Sequence, residues 1–177
     1  MEIRDSVGQR VEEIRKWYEG LGQGGGASEI EKQHSKGKLT ARERIEKLLD
    51  PGTFKELDLN VGSLETAFDV DAEMHPGDGV AIGYGEVNGR PIFVWAQDAT
   101  VLGGTWATVH MRKIIMVMER ALNARVPIVG MIDSEGPRVE DVIQYHRFFS
   151  PERMCYWQTM SSGVIPQIAL VMGPCTG

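Results

Sequence analysis

From about residue 79 onward the chain alternates between two hydrophobic periodicities, and this alternation constrains its fold more than any other feature. Val80–Val87 and Arg90–Ala96 are strand-like runs joined by Asn88-Gly89, a dipeptide that accepts the positive φ a two-residue hairpin needs. Between about Thr105 and Asn123, Met111, Ile114, Ile115, Met118, Ala121 and Leu122 recur three and four apart, the stripe of a helix facing a core. Val126–Ile132 is short and nearly all apolar, which suits a buried parallel strand. A helical stretch over about 140–160 and a last strand, Gln167–Met172, complete the series. Strand, helix, strand, helix, strand predicts an α/β fold. Glycine-bearing loops follow three of the strands: Gly103-Gly104, Asp-Ser-Glu-Gly-Pro-Arg at 133–138, and Gly-Pro-Cys-Thr-Gly at 173–177. In such folds, ligand sites collect at the carboxyl ends of strands.

The amino-terminal part obeys other rules. Ile3, Val7, Val11, Ile14 and Tyr18 fall at helical spacing among charges, predicting an amphipathic helix over 2–19. Five glycines between Gly20 and Gly26 break it and predict a flexible linker. No Lys-Ser/Thr pair or strand surrounds them, which argues against a phosphate loop. Thr40 and Glu43 make a capping box ahead of Ile45, Leu48 and Leu49, and Asp50-Pro51-Gly52 ends that short helix. The expected organisation is a helical extension and linker over 1–27 and one domain over 28–177. Lys36, Lys38 and Arg42 gather at the entrance of the capped helix. Two readings stand side by side: a solvated charged face, or a cradle in which cations and helix N–H groups hold an anionic ligand.

Charge and cysteine content narrow the function classes. The net charge is −6, and residues 51–177 carry all of the acidic excess, so a nucleic-acid footprint is not expected. Cys155 and Cys175 form neither a CxxC pair nor a disulfide framework, and the four histidines show no metal-ligand spacing, so no metal is expected. No apolar run reaches the ~18–20 residues that span a bilayer, and the charged start lacks a secretory signal's apolar centre. The expectation is a soluble, cytoplasmic protein. Ser134 lacks the preceding glycine of a nucleophile elbow, and neither His110 nor His146 belongs to a recognisable triad. What the loops offer is backbone. Glycines either make tight turns or let N–H donors converge on one oxygen, as in an oxyanion hole.

Three segments carry a resemblance: KGKLTARERIEKLLDPGTF, PGDGVAIGYGEVNGRPIFVWAQDATVLGGT and SGVIPQIALVMGPCTG. In order and spacing they resemble the amino-terminal part of biotin-dependent acyl-CoA carboxyltransferases, the β-subunit family of propionyl-CoA and methylcrotonyl-CoA carboxylases and of related decarboxylases. The resemblance implies a crotonase-like (ClpP/crotonase) α/β fold of repeated βαβ units, here truncated at the carboxy end, with the amino-terminal helical extension added. It also implies transfer of a carboxyl group between biotin and the α-carbon of a short acyl-CoA. The biotin would ride on a partner, a biotin carboxyl carrier or biotin carboxylase subunit, and the full-length subunits would form trimers or hexamers. Gly136 and Gly177 become the expected backbone oxyanion donors. Gly103, Gly104 and Arg138 become expected acyl-CoA contacts, and Lys36, Lys38 and Arg42, from their charge and position alone, are expected to meet the CoA phosphates. Where the family has Asp-Ser-Gly-Gly-Ala-Arg, this chain has Glu135 and Pro137, which add a carboxylate and remove a backbone N–H. The segment after it is rich in aromatics: Tyr145, Phe148, Phe149, Tyr156 and Trp157. Two rival readings follow: a decarboxylase subunit of a biotin-dependent sodium pump, and a non-catalytic acyl-CoA-binding module. The chain is expected to be a piece of a longer protein, inactive alone.

Overall fold

A computed structural model describes residues 2–63, 75–145 and 151–176. Its helices are α1 (Glu2–Leu21), α2 (Ala27–Ser35), α3 (Ala41–Leu48), α4 (Thr108–Ala124), α5 (Val139–Tyr145) and α6 (Pro151–Ser161). Its strands are β1 (Lys55–Leu57), β2 (Val80–Val87), β3 (Arg90–Gln97), β4 (Ile128–Ser134) and β5 (Gln167–Cys175). They form one sheet in the order β1-β2-β3-β4-β5. The first three strands pair antiparallel and the last three parallel. Helix α4 therefore makes a βαβ crossover from β3 to β4, and α5 with α6 makes the next, from β4 to β5.

The hairpin forms as its dipeptide predicts, with φ of 52° at Asn88 and 71° at Gly89. The Asp50 carboxylate accepts both of their N–H groups, at 3.0 and 2.8 Å, tying the hairpin tip to the end of α3. The capping box is also present: the Glu43 N–H donates to Thr40 Oγ1 at 3.4 Å and the Thr40 N–H to Glu43 Oε2 at 2.8 Å.

The period-2 pattern of β3 sorts its side chains onto two cores. Val94 and Ala96 join Ile45, Ala81, Val129 and Met131 under α3. Trp95 joins Ile82, Ile114, Val117, Met118 and Ile128 under α4. The stripe read on α4 is thus core. Gly130 has a packing reason: a side chain there would overlap the Trp95 indole, which lies across the strand.

Three expectations change and one holds. The glycine run is docked rather than free: the Gly25 N–H donates to Thr100 Oγ1 at 3.0 Å, and a Cβ at Gly25 would overlap the Thr100 carbonyl. The helix expected over 2–19 forms as α1, with Val7, Val11, Ile14 and Tyr18 of its apolar stripe exposed. Helix α4 starts at Thr108, later than Thr105, since a tight turn over Leu102–Gly104 precedes it. The 140–160 stretch contains two helices, α5 and α6, and His146, Phe148 and Phe149 lie outside the described residues. Strand β5 pairs with β4 alone among the described strands and leaves Ile168 and Val171 exposed, Val171 by 63%.

Candidate functional site

Three loops leave the carboxyl ends of β3, β4 and β5, and their main chains are laced together. The Glu135 N–H donates to the Gly103 carbonyl at 3.1 Å, Trp106 N–H to Gly136 O at 3.0 Å, and Arg138 N–H to Trp106 O at 2.9 Å. The Thr176 N–H closes the set on Ser134 O at 3.4 Å. Such close approach demands glycine. Gly103, Gly104 and Gly136 have φ of 65°, 66° and 115°, and a Cβ at Gly104 would overlap the Asp133 carbonyl oxygen. The Trp106–Pro137 pairing uses the carbonyl of Gly136 and the N–H of Arg138, so Pro137's missing N–H removes nothing from this ladder.

Beneath the loops lies a cavity of about 280 Å³. Trp95, Trp106, Ile114 and Met154 give it apolar walls, and Gln97, Ser134 and Thr176 bring polar groups to it. Such a lining, mostly apolar with a few oriented polar groups, suits a small organic ligand. Ser134 Oγ accepts the Gly136 N–H at 3.1 Å, so the expected donor at Gly136 is held by a neighbouring hydroxyl in this structure.

Behind the loops runs a buried polar network. His110 is fully buried; its backbone N–H donates to Asp78 Oδ2 at 2.9 Å, and its Nδ1 lies 2.9 Å from the Asp78 carbonyl. Its Nε2 faces Gln97 Nε2, a donor, at 3.2 Å. That pair assigns the tautomer: Nδ1 carries the proton and Nε2 accepts, so the ring is neutral. Burial drives its pKa down to about 3. Asp78 has its carboxyl pushed above the usual range by burial, against the opposing pull of Arg138. Lys113 is pushed down to about 8 by burial and donates to the carbonyls of Gly77 and Val80 at 2.9 and 2.8 Å.

The expected site residues divide into two groups. Gly103, Gly104 and Gly136 come together in the interlaced loops, beside Trp106, Ser134 and Thr176 that line the cavity, while Gly177 lies outside the described residues. Three of the four charged ones are occupied elsewhere. Arg138 Nη1 binds Asp78 Oδ1 at 2.8 Å and its Nη2 donates to Thr105 O at 3.2 Å, so it braces the loop from behind. Lys38 Nζ sits 2.8 Å from Asp133 Oδ1. Arg42 Nη2 sits 2.8 Å from Glu56 Oε1, with its Nη1 3.6 Å from Asp98 Oδ2. The three-cation cradle is therefore divided, since two members are neutralised by internal carboxylates. Lys36 is exposed, with no ion-pair partner among the described residues. Ser134, Gln97 and Asp133 were not named as site residues; the glycine-bearing loop at 133–138 marks Asp133 and Ser134, and no local pattern marks Gln97. Among the described residues no cluster of three or more His, Cys, Asp or Glu could hold a metal, and no helix is long and apolar enough to cross a membrane.

Glycine loops roofing an apolar cavity at the ends of parallel strands occur in many enzymes, and comparison decides among them. The model of the carboxyl transferase domain matches residues 32–177. The chain belongs to the carboxyl transferase domain family. This carboxyl transferase chain is 43% identical over 168 residues to the propionyl-CoA carboxylase carboxyltransferase subunit of Haloferax mediterranei, covering 95% of itself and 32% of that relative. It is 39% identical over 172 residues to methylmalonyl-CoA decarboxylase subunit alpha of Veillonella parvula, covering 97% of itself and 33% of the relative. Among solved structures it matches the transcarboxylase 12S hexamer, crystallised with methylmalonyl-coenzyme A, at a TM-score of 0.89 and 39% identity, over 95% of this chain and 32% of that one. The chain spans about a third of the length of these relatives. With the geranyl-CoA carboxylase beta subunit of P. aeruginosa, which it matches at a TM-score of 0.75, these neighbours bear out the crotonase-type fold.

Proposed function

We propose that this chain forms the amino-terminal part of a carboxyltransferase that moves a carboxyl group between biotin and the α-carbon of a short acyl-CoA. The observation that carries the reading is the convergence of three glycine-bearing main chains over one apolar cavity. The difficult step is loss of the α-proton, which leaves an enolate with its charge on the thioester oxygen. Main-chain N–H groups held around that oxygen in a dry site stabilise it by several kcal/mol without reorganising. Gly136 contributes once the Ser134 hydroxyl rotates off its N–H, and Gly177 is its proposed companion. Gly103 and Gly104 shape the approach by keeping side chains out of it. The enolate carbon then attacks the transferred carboxyl carbon, so a C–C bond forms as the carboxyl leaves its carrier nitrogen. Biotin, a substrate borne on a partner carrier protein or domain, supplies the carboxyl group and takes up the proton. No acid or base from this chain is required.

The proposed organisation keeps residues 1–27 as an extension and 28–177 as an incomplete carboxyltransferase domain that works in a trimer or hexamer with a biotin carrier subunit. Lys36 remains a proposed contact for a CoA phosphate. The similarity to methylmalonyl-CoA decarboxylase supports a second reading, in which the carboxyl group moves the other way. The test is carboxyl transfer by the protein of the complete reading frame, with propionyl-CoA and a carboxylated biotin carrier. Formation of a carboxylated acyl-CoA supports the proposal, and formation only in reverse selects the second reading. Acyl-CoA binding without transfer in either direction would show a binding module instead.

A further inference from the structure

Asp133, the penultimate residue of β4, touches the Gly103-Gly104 loop, the end of β3 and the carboxyl end of β5. Its carbonyl oxygen occupies the place a Cβ at Gly104 would take, and its N–H donates to Gln97 Oε1 at 3.2 Å, at the end of β3. Its carboxylate lies directly against Gly173, where any Cβ would overlap Oδ1. That carboxylate is only 1% exposed and is held by side chains some ninety to a hundred residues earlier in the chain. Lys38 Nζ reaches Oδ1 at 2.8 Å, Arg44 Nη2 reaches Oδ2 at 2.7 Å, and the Gln33 amide stands 3.4 Å from Oδ2. The Lys38 ammonium lies 2.5 Å from the Cβ position of Gly173. The α2–α3 segment thus reaches to the carboxyl end of β5.

We propose that Asp133 is a positioning residue, clamped by Lys38 and Arg44, which fixes the Gly173–Cys175 end of β5 relative to the Gly103-Gly104 and Gly136 loops. Three features distinguish this clamp from an incidental surface pair. The carboxylate is desolvated and bound through both oxygens, and such a buried charge holds its partners only in one geometry. The residue above it is a glycine, so the backbone of β5 rests on the ion pair with no side chain between. Burial raises the Asp133 pKa, yet Lys38 and Arg44 outweigh it and hold the carboxyl below its usual range, so the clamp is charged at neutral pH. The clamp also gives Lys38 a role other than phosphate binding. Its side chain is 25% exposed and its ammonium is committed to Asp133.

Cys175 is exposed at the end of the same strand and provides a reporter of its position. In a Cys155→Ser background, the labelling rate of Cys175 by a small thiol reagent is measured well below the unfolding midpoint. Lys38→Met, which leaves Arg44 on Asp133 to keep the protein folded, is expected to change that rate about tenfold, and Lys38→Arg to restore it. Ile45→Val, in the core under α3, is the control: it lowers thermal stability with no change in labelling. Equal rates in the wild type and Lys38→Met, or equal changes in Lys38→Met and Ile45→Val, overturn the proposal. Where the complete protein transfers carboxyl groups, Lys38→Met is expected to lower kcat at least tenfold with KM for acyl-CoA within about twofold. A KM rise alone would overturn positioning and return Lys38 to the CoA phosphates. The functional consequence rests on the carboxyltransferase reading, whereas the labelling result does not: wild-type protein without transfer activity defeats that reading and leaves the labelling test standing.

Discussion

Replacing His110 with glutamine should remove a specific acid sensitivity from the fold. The imidazole is fully buried between the Asp78 carbonyl and the Gln97 amide, in a tautomer with no room for a second proton. Its pKa falls from 6.5 to about 3, chiefly through desolvation, with Arg138 and Lys113 adding repulsion. In the unfolded chain the same ring takes a proton near pH 6.5. Below that pH the unfolded state therefore binds more protons, and stability falls until the folded pKa is reached. Each pKa unit corresponds to about 1.4 kcal/mol, which makes the complete shift about 5 kcal/mol and the part lost between pH 7 and 5.5 about 1.3 kcal/mol. Urea denaturation of wild type and His110→Gln at both pH values measures this as a difference of differences. Other histidines and carboxylates act in both proteins and cancel. The wild type should lose about 1.3 kcal/mol more than the variant on acidification. Parallel pH dependences would refute the assignment of a buried, neutral His110.

Gly104→Ala should misplace the loops, since its φ is 66° and its methyl would overlap the Asp133 carbonyl; a stability loss of about 2 kcal/mol or more is expected in thermal unfolding, and an unchanged midpoint would contradict the described packing. Arg138→Met leaves the buried Asp78 carboxylate unpaired, at an expected cost of about 3–5 kcal/mol at pH 7. The folded pKa of Asp78 then rises further, so the loss should shrink as pH falls through that pKa and the group binds a proton. Measured between pH 7 and 5, a loss that instead grew with acid would exclude Asp78 as its source.

Local chemistry made the hairpin, the capping box and the α4 stripe legible, because each is written within a few consecutive residues. Asn88-Gly89 supplies the left-handed turn, Thr40 and Glu43 satisfy each other's N–H groups, and α4 repeats its apolar face over four turns. Helix α2 and strand β1 were not read: the sequence of α2 is mostly polar, and β1 is three residues long. Of the candidate site, the glycines were legible because φ and close approach select glycine directly. The cations misled, because a lysine carries its charge in sequence but not its partner. Lys38 meets Asp133 and Arg42 meets Glu56 only after the chain has folded, and the first pair spans 95 residues. The glycine run was misread for the same reason: its flexibility is intrinsic, while the Thr100 hydroxyl that docks it is distant in sequence.

The claim on which the account turns is that main-chain amides, and no side-chain acid, base or thiol, hold the charge that develops on the thioester. A crystal structure of the protein from the complete reading frame with a bound acyl-CoA tests it most directly. The account predicts the thioester oxygen within about 3 Å of main-chain N–H groups of the glycine loops, with the acyl chain in the cavity beneath them. A thioester oxygen held by a side chain, or bound away from the ends of β3, β4 and β5, would contradict it.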